Sequence, residues 1–96
     1  MDINEIRPAV IEAAGEMERV LRENDYKGGW EDCSNSYLLA RFFEEVKEVK
    51  KLNKTGFPCK FGVGADFEIT DELASEVIDV MNFGMMIIDS WKKQHE

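Results

Sequence analysis

Five carboxylates stand out by type and spacing. Glu44, Glu45 and Glu48 sit together in "EEVKE", and after 27 residues Glu76 and Asp79 follow in "EVID". Pairs three residues apart fall on one face of a helix. Asp79 and Asn82 also interrupt a stretch of apolar residues, Val77, Ile78, Val80, Met81 and Phe83. A carboxylate among such neighbours is costly unless something pairs with it. Two helices that each present two acids would put Glu45, Glu48, Glu76 and Asp79 around one cleft. Four carboxylates so placed cannot all stay ionised without cations. Oxygen ligands with no histidine or cysteine among them favour Mg²⁺ or Mn²⁺ over zinc.

Three helices are needed to position these groups. Ile6, Val10, Ile11, Ala14, Met17, Val20 and Leu21 recur at helical spacing, so residues 3 to about 24 read as the first helix. Pro8 is tolerable only in a first turn, which places the regular start near Arg7. Gly28 and Gly29 in "KGGW" provide the stop. The second helix runs from Ser34 or Asn35 to Asn53, with Ser34, Asn35 and Ser36 as alternative N-caps. Its apolar face carries Leu38, Leu39, Phe42, Phe43, Val46 and Val49. At 100° per residue Glu45 falls roughly 80° from the centre of that face, Glu48 lies farther round, and Glu44 points nearly opposite the core. Thr70 is the expected cap of the third helix, with Asp71 and Glu72 in its first turn and an end near Lys93. The third helix is apolar almost all round from Val77 to Ile88, more than two other helices can cover, so a partner subunit is expected. Between the second and third helices, "KTGFPCKFGVGADFE" is a long connection with a short strand-like piece near 60–63.

Composition narrows the function. The chain has 96 residues, enough for one domain, with 44% hydrophobic and 33% charged residues. A net charge of −8 argues against a nucleic-acid backbone as partner, which would need a basic face. It leaves room for a nucleotide whose phosphates are carried by cations. No apolar run approaches the roughly 18 residues of a membrane span. The two cysteines, Cys33 and Cys59, are in no metal-binding spacing, and with an acidic start in place of a signal peptide they point to a reduced, cytoplasmic setting.

With these residues in view, the chain resembles the MazG-type nucleoside triphosphate pyrophosphohydrolases, in particular the short, stand-alone and phage-type ones. The signature E-E-x-x-E, a spacer, then E-x-x-D is matched by "EEVKE" and "EVID". The likeness extends to "KGGW", "YLLARFFEEVKEV" and "DVMNFGMMI", and so over most of residues 24 to 93. The resemblance implies an all-α, antiparallel helical bundle over residues 1–96, completed by oligomerisation as a dimer or tetramer. It implies Mg²⁺-dependent cleavage of (d)NTPs to monophosphate and pyrophosphate, a house-cleaning of nucleotide pools. It matches Glu45, Glu48, Glu76 and Asp79 to the metal-binding acids, and Glu44 and Glu45 to a catalytic role in activating water.

Lys27, Trp30 and Asn82 are the candidates for holding substrate, through phosphate contact, base stacking and hydrogen bonding respectively. Each also has an ordinary reading as a solvated lysine, a core aromatic or an amide bonded across a helix interface. Phosphates could also meet Lys47, Lys51 or Lys60. Two other functions remain open: a non-catalytic helical oligomer that binds nucleotide or protein, and a pyrophosphohydrolase of a phosphoribosyl metabolite. The complete acid set weighs against the first, and dependence on the base would exclude the second.

Overall fold

The computed structural model describes residues 1–52 and 68–96. They form three α-helices: α1 (Pro8–Glu23), α2 (Asn35–Leu52) and α3 (Asp71–Gln94), with 3-10 turns at Ile3–Glu5 and Asp25–Lys27. There is no strand among the described residues. The expected strand-like piece near 60–63, Lys60 and Cys59 lie outside them.

Each helix boundary has a local cause. Pro8 occupies the first turn of α1, where its missing N–H is not needed. Ile3–Glu5 does not join α1, because Ile6 and Arg7 are extended between them. At the other end α1 stops at Asn24, four residues before the first glycine. The Asn24 amide donates to the Val20 carbonyl at 2.9 Å and so satisfies a backbone acceptor that the helix leaves open. Gly28 then turns the chain with φ of 87°, a left-handed conformation glycine adopts without strain. Of the three alternative caps for α2, Ser34 is the one used: its hydroxyl accepts from the Tyr37 N–H at 3.1 Å. Thr70 caps α3 in the same way, accepting from Leu73 N–H at 3.1 Å. His95 closes α3, its backbone N–H bonded to the Lys92 carbonyl.

Packing is concentrated between α2 and α3, with α1 against α3. The α2–α3 pair runs antiparallel. Asn35 at the start of α2 meets Ser90 and Gln94 near the end of α3, while Glu45 lies by Glu76 and Asp79 near its beginning. On the apolar face of α2, Leu38 is fully buried, Phe42, Val46 and Val49 are half-buried, and Leu39 and Phe43 are about half exposed, at 48% and 56%. Gly84 of α3 faces the Phe42 ring, where a Cβ would stand at 3.6 Å. Leu38 is the only apolar side chain among the described residues that is fully buried, and Ile88 and Trp91 of α3 are as exposed as Phe43. No helix of the described residues is long and apolar enough to cross a membrane.

Candidate metal centre

Three of the predicted acids converge. Glu45 of α2 and Glu76 and Asp79 of α3 each bring one carboxylate oxygen within 4.8 Å of the other two. The helical pattern accounts for this. Glu45 stands at the edge of the α2 apolar face with its side chain only 13% exposed, so it looks across the groove toward α3. Glu76 and Asp79, three residues apart, share the stripe of α3 that faces back. All three are half-buried.

Glu48 and Glu44 are placed differently. Glu48 is 60° round α2 from Glu45 on an ideal helix. Its carboxylate is half exposed, bonded to Lys51 Nζ at 3.0 Å, and has no oxygen in the cluster of three. Its charge still reaches Glu45 and Glu76. Glu44 is exposed and paired with Arg41.

Crowding and burial act together on the cluster. Burial pushes the Glu45 carboxyl above its ordinary value, and the neighbouring Asp79 charge adds to this, against the opposing pull of Arg41. Glu76 is raised by loss of water and then by Asp79 and Glu48. Asp79 is raised by burial, with Arg41 opposing. Three carboxylates so grouped could hold a cation. Oxygens sharing an octahedral Mg²⁺ stand about 3 to 4.2 Å apart at the usual metal–oxygen distance. The three oxygens, within 4.8 Å of one another, would draw closer to share such an ion. A donor set of oxygens alone suits Mg²⁺ or Mn²⁺.

Arg41 was not singled out by the sequence. It lies one turn before Glu45 on α2, with Nη2 2.9 Å from Glu45 Oε1 and Nη1 on Glu44. Its guanidinium also lies over the Phe83 ring, 5.2 Å from the centroid. The only signal was its spacing of three and four residues ahead of two acids, which reads as an ordinary helix-surface pair.

A cleft of about 660 Å³ opens beside the cluster. Glu45 and Asp79 line it, and so do Lys27, Trp30 and Asn82, the three residues expected to hold a substrate. They arrive from three places: the turn after α1, the approach to α2, and α3. Lys27 is exposed and Trp30 half-buried. The Trp30 indole N–H donates to Asp89 at 3.0 Å, so the ring is tied to α3 by its edge. Asn82 is 4% exposed. Its Nδ2 donates to the Met17 carbonyl at 3.3 Å. A carbonyl can only accept, which fixes the amide orientation and leaves Oδ1 as the other atom. That oxygen is buried and has no hydrogen-bond partner among the described residues. Buried polar atoms are nearly always satisfied, so this acceptor stands out among the described residues.

No protein-family model, no curated protein and no solved structure matches this chain.

Proposed function

We propose that this chain is a Mg²⁺-dependent nucleoside triphosphate pyrophosphohydrolase, with Mn²⁺ able to replace Mg²⁺, acting on a cytoplasmic nucleotide pool. One observation carries the reading: a single cleft joins an acidic cluster to an aromatic ring, a lysine and an orphaned buried acceptor. A nucleoside triphosphate has the same polarity from end to end. Its phosphates need cations, and its base needs an apolar surface and a few hydrogen bonds. The cleft volume is in the range of small-molecule sites, about 300–1,000 Å³.

In this reading Glu45, Glu76 and Asp79 hold the metal, and Glu48 extends the set by turning away from Lys51. A divalent cation held there neutralises phosphate charge and lowers the pKa of bound water. Glu44, outside the cluster and within reach of Arg41, is the candidate base. Lys27 meets phosphate from the turn beside Gly28 and Gly29. Trp30 offers its ring to the base while Asp89 holds its edge. Asn82 Oδ1 accepts from an N–H or O–H of the nucleoside.

A homo-oligomer belongs to the same proposal. Leu39, Phe43, Ile88 and Trp91 are each about half exposed, and among the described residues Leu38 is the one fully buried apolar side chain, a small core for a helical chain. A second copy laid on α2 and α3 would cover them.

The test is pyrophosphate release from a panel of ordinary and damaged NTPs and dNTPs, with Mg²⁺ and with EDTA. The expected result is metal-dependent release with a preference among bases. Release that ignores the base would move the substrate to a phosphoribosyl metabolite. No release from any nucleotide by folded protein would leave a binding module.

A further inference from the structure

We infer that Arg41 is a resident counter-cation for the acidic cluster, and that Glu45 is exchanged from Arg41 to the metal when a divalent cation binds. This rests on the metal-binding reading above and adds a residue that competes with the metal for one of its ligands.

The geometry places a positive charge where a cation is wanted. Arg41 Nη2 stands 2.9 Å from Glu45 Oε1, the same carboxylate that contributes an oxygen to the cluster with Glu76 and Asp79. The Arg41 charge also bears on Asp79 across the helix pair. Its two other contacts, Glu44 on its own helix and the Phe83 ring of α3, are outside the cluster, so the side chain keeps them when Glu45 leaves. Arg41 lines the cleft and its side chain is about one-third exposed, at 34%, which leaves space for it to swing.

The consequence follows from linkage. An interaction made only in the metal-free state stabilises that state and weakens metal binding by the same free energy. A residue that merely steadied Glu45 for the metal would have the opposite effect when removed. The sign of the change in metal affinity separates the two.

The experiment is calorimetric titration of Mn²⁺ into metal-free protein, for the wild type, Arg41→Met, Arg41→Lys and Arg19→Met. Methionine keeps a flexible apolar stem against Phe83 and removes the charge. Arg19 carries the same charge on the exposed face of α1, paired with Glu16 and Glu23, and controls for net charge. Arg41→Met is expected to bind Mn²⁺ about three- to tenfold more tightly than wild type, the range of a partly exposed ion pair. It should also melt at a lower temperature than wild type in EDTA, and regain most of that loss in excess Mn²⁺. Arg41→Lys should fall between, because an ammonium lacks the fork that spans Glu44 and Glu45. Arg19→Met should bind as wild type does. If Arg41→Met does not fold, Arg41→Lys alone decides. Unchanged or weaker Mn²⁺ binding by the Arg41 variants overturns the inference, as does equal tightening in Arg19→Met. Failure of the wild type to bind Mn²⁺ overturns the metal-binding reading itself, and the exchange with it.

Discussion

The antiparallel α2–α3 pair has polar groups at both ends, and the two ends are in opposite states. Where the start of α2 meets the end of α3, polar side chains are joined in a network. Asp89 accepts from Trp30 Nε1 and pairs with Lys93 at 3.0 Å. Asn35 accepts from Ser90 and Gln94. The Lys93 bond, then the Trp30 bond, holds the Asp89 carboxyl below its ordinary value. Where the end of α2 meets the start of α3, Glu45, Glu76 and Asp79 crowd together, all held above their ordinary values, with Arg41 opposing the shift at Glu45 and Asp79. Asn82, one turn along from Asp79, keeps an acceptor with no partner among the described residues. Polarity at a helix interface therefore does not mark function. The bonded end holds the pair together, and the crowded end is the one on which the proposed function rests.

The largest way to break this contrast is at Asp79. Asp79→Asn should lower metal-dependent pyrophosphate release by more than about a hundredfold, beyond the usual loss for groups that only support a metal ligand. The same variant should melt no lower than wild type in EDTA, because it removes one of three mutually repelling charges. A melting scan beside the turnover assay checks both. A variant that unfolds in EDTA would show that Asp79 supports the fold and not a ligand.

Asn82 comes next. Asn82→Leu removes the orphaned acceptor together with the single long bond to Met17, and replacing a half-satisfied polar group with an apolar one of similar size is close to neutral for stability. KM for the preferred nucleotide should rise about tenfold, the value of one hydrogen bond to a buried acceptor. An unchanged KM would return Asn82 to a packing role.

The pH dependence of stability sharpens the contrast further. Carboxyls raised in the folded state hold protons that the unfolded chain releases, so stability falls as pH rises through the interval between the unfolded and folded values. For Glu45, Glu76 and Asp79 this interval begins at the ordinary values of 4.5, 4.5 and 3.8 and ends above them. In EDTA, wild type should lose stability relative to Asp79→Asn as the pH rises from about 4. Excess Mg²⁺ should cancel that loss. Denaturant unfolding at several pH values measures it. The smallest effect is at the settled end. Asp89→Ala should lower the melting midpoint by a few degrees and leave Mn²⁺ affinity unchanged.

Much of the scaffold was legible in the sequence because its causes are local. Pro8 and Thr70 announced helix starts through rules of one turn's range, and the narrow apolar face of α2 put Glu45 at the groove. The first helix ended before its glycines because Asn24 offered a side-chain cap, a competing signal of equal range. Glu48 was grouped with the other acids on spacing and resemblance, and in the structure its position farther round α2 pairs it with Lys51. The partners that define the two ends were not legible. Trp30 and Asp89 are 59 residues apart, and Asn82 and Met17 are 65 apart. Only the packing of three helices brings them together. Arg41 was visible as a residue and hidden as a role, since a basic side chain one turn before two acids is the commonest pattern on a helix surface.

The most direct measurement is phosphorus NMR of a nucleoside triphosphate incubated with the protein and Mg²⁺. The proposed function predicts monophosphate and pyrophosphate as the products, formed in Mg²⁺, stopped by EDTA and lost in Asp79→Asn. Diphosphate and orthophosphate as products, or an intact triphosphate in the presence of folded protein that binds Mn²⁺, would contradict it.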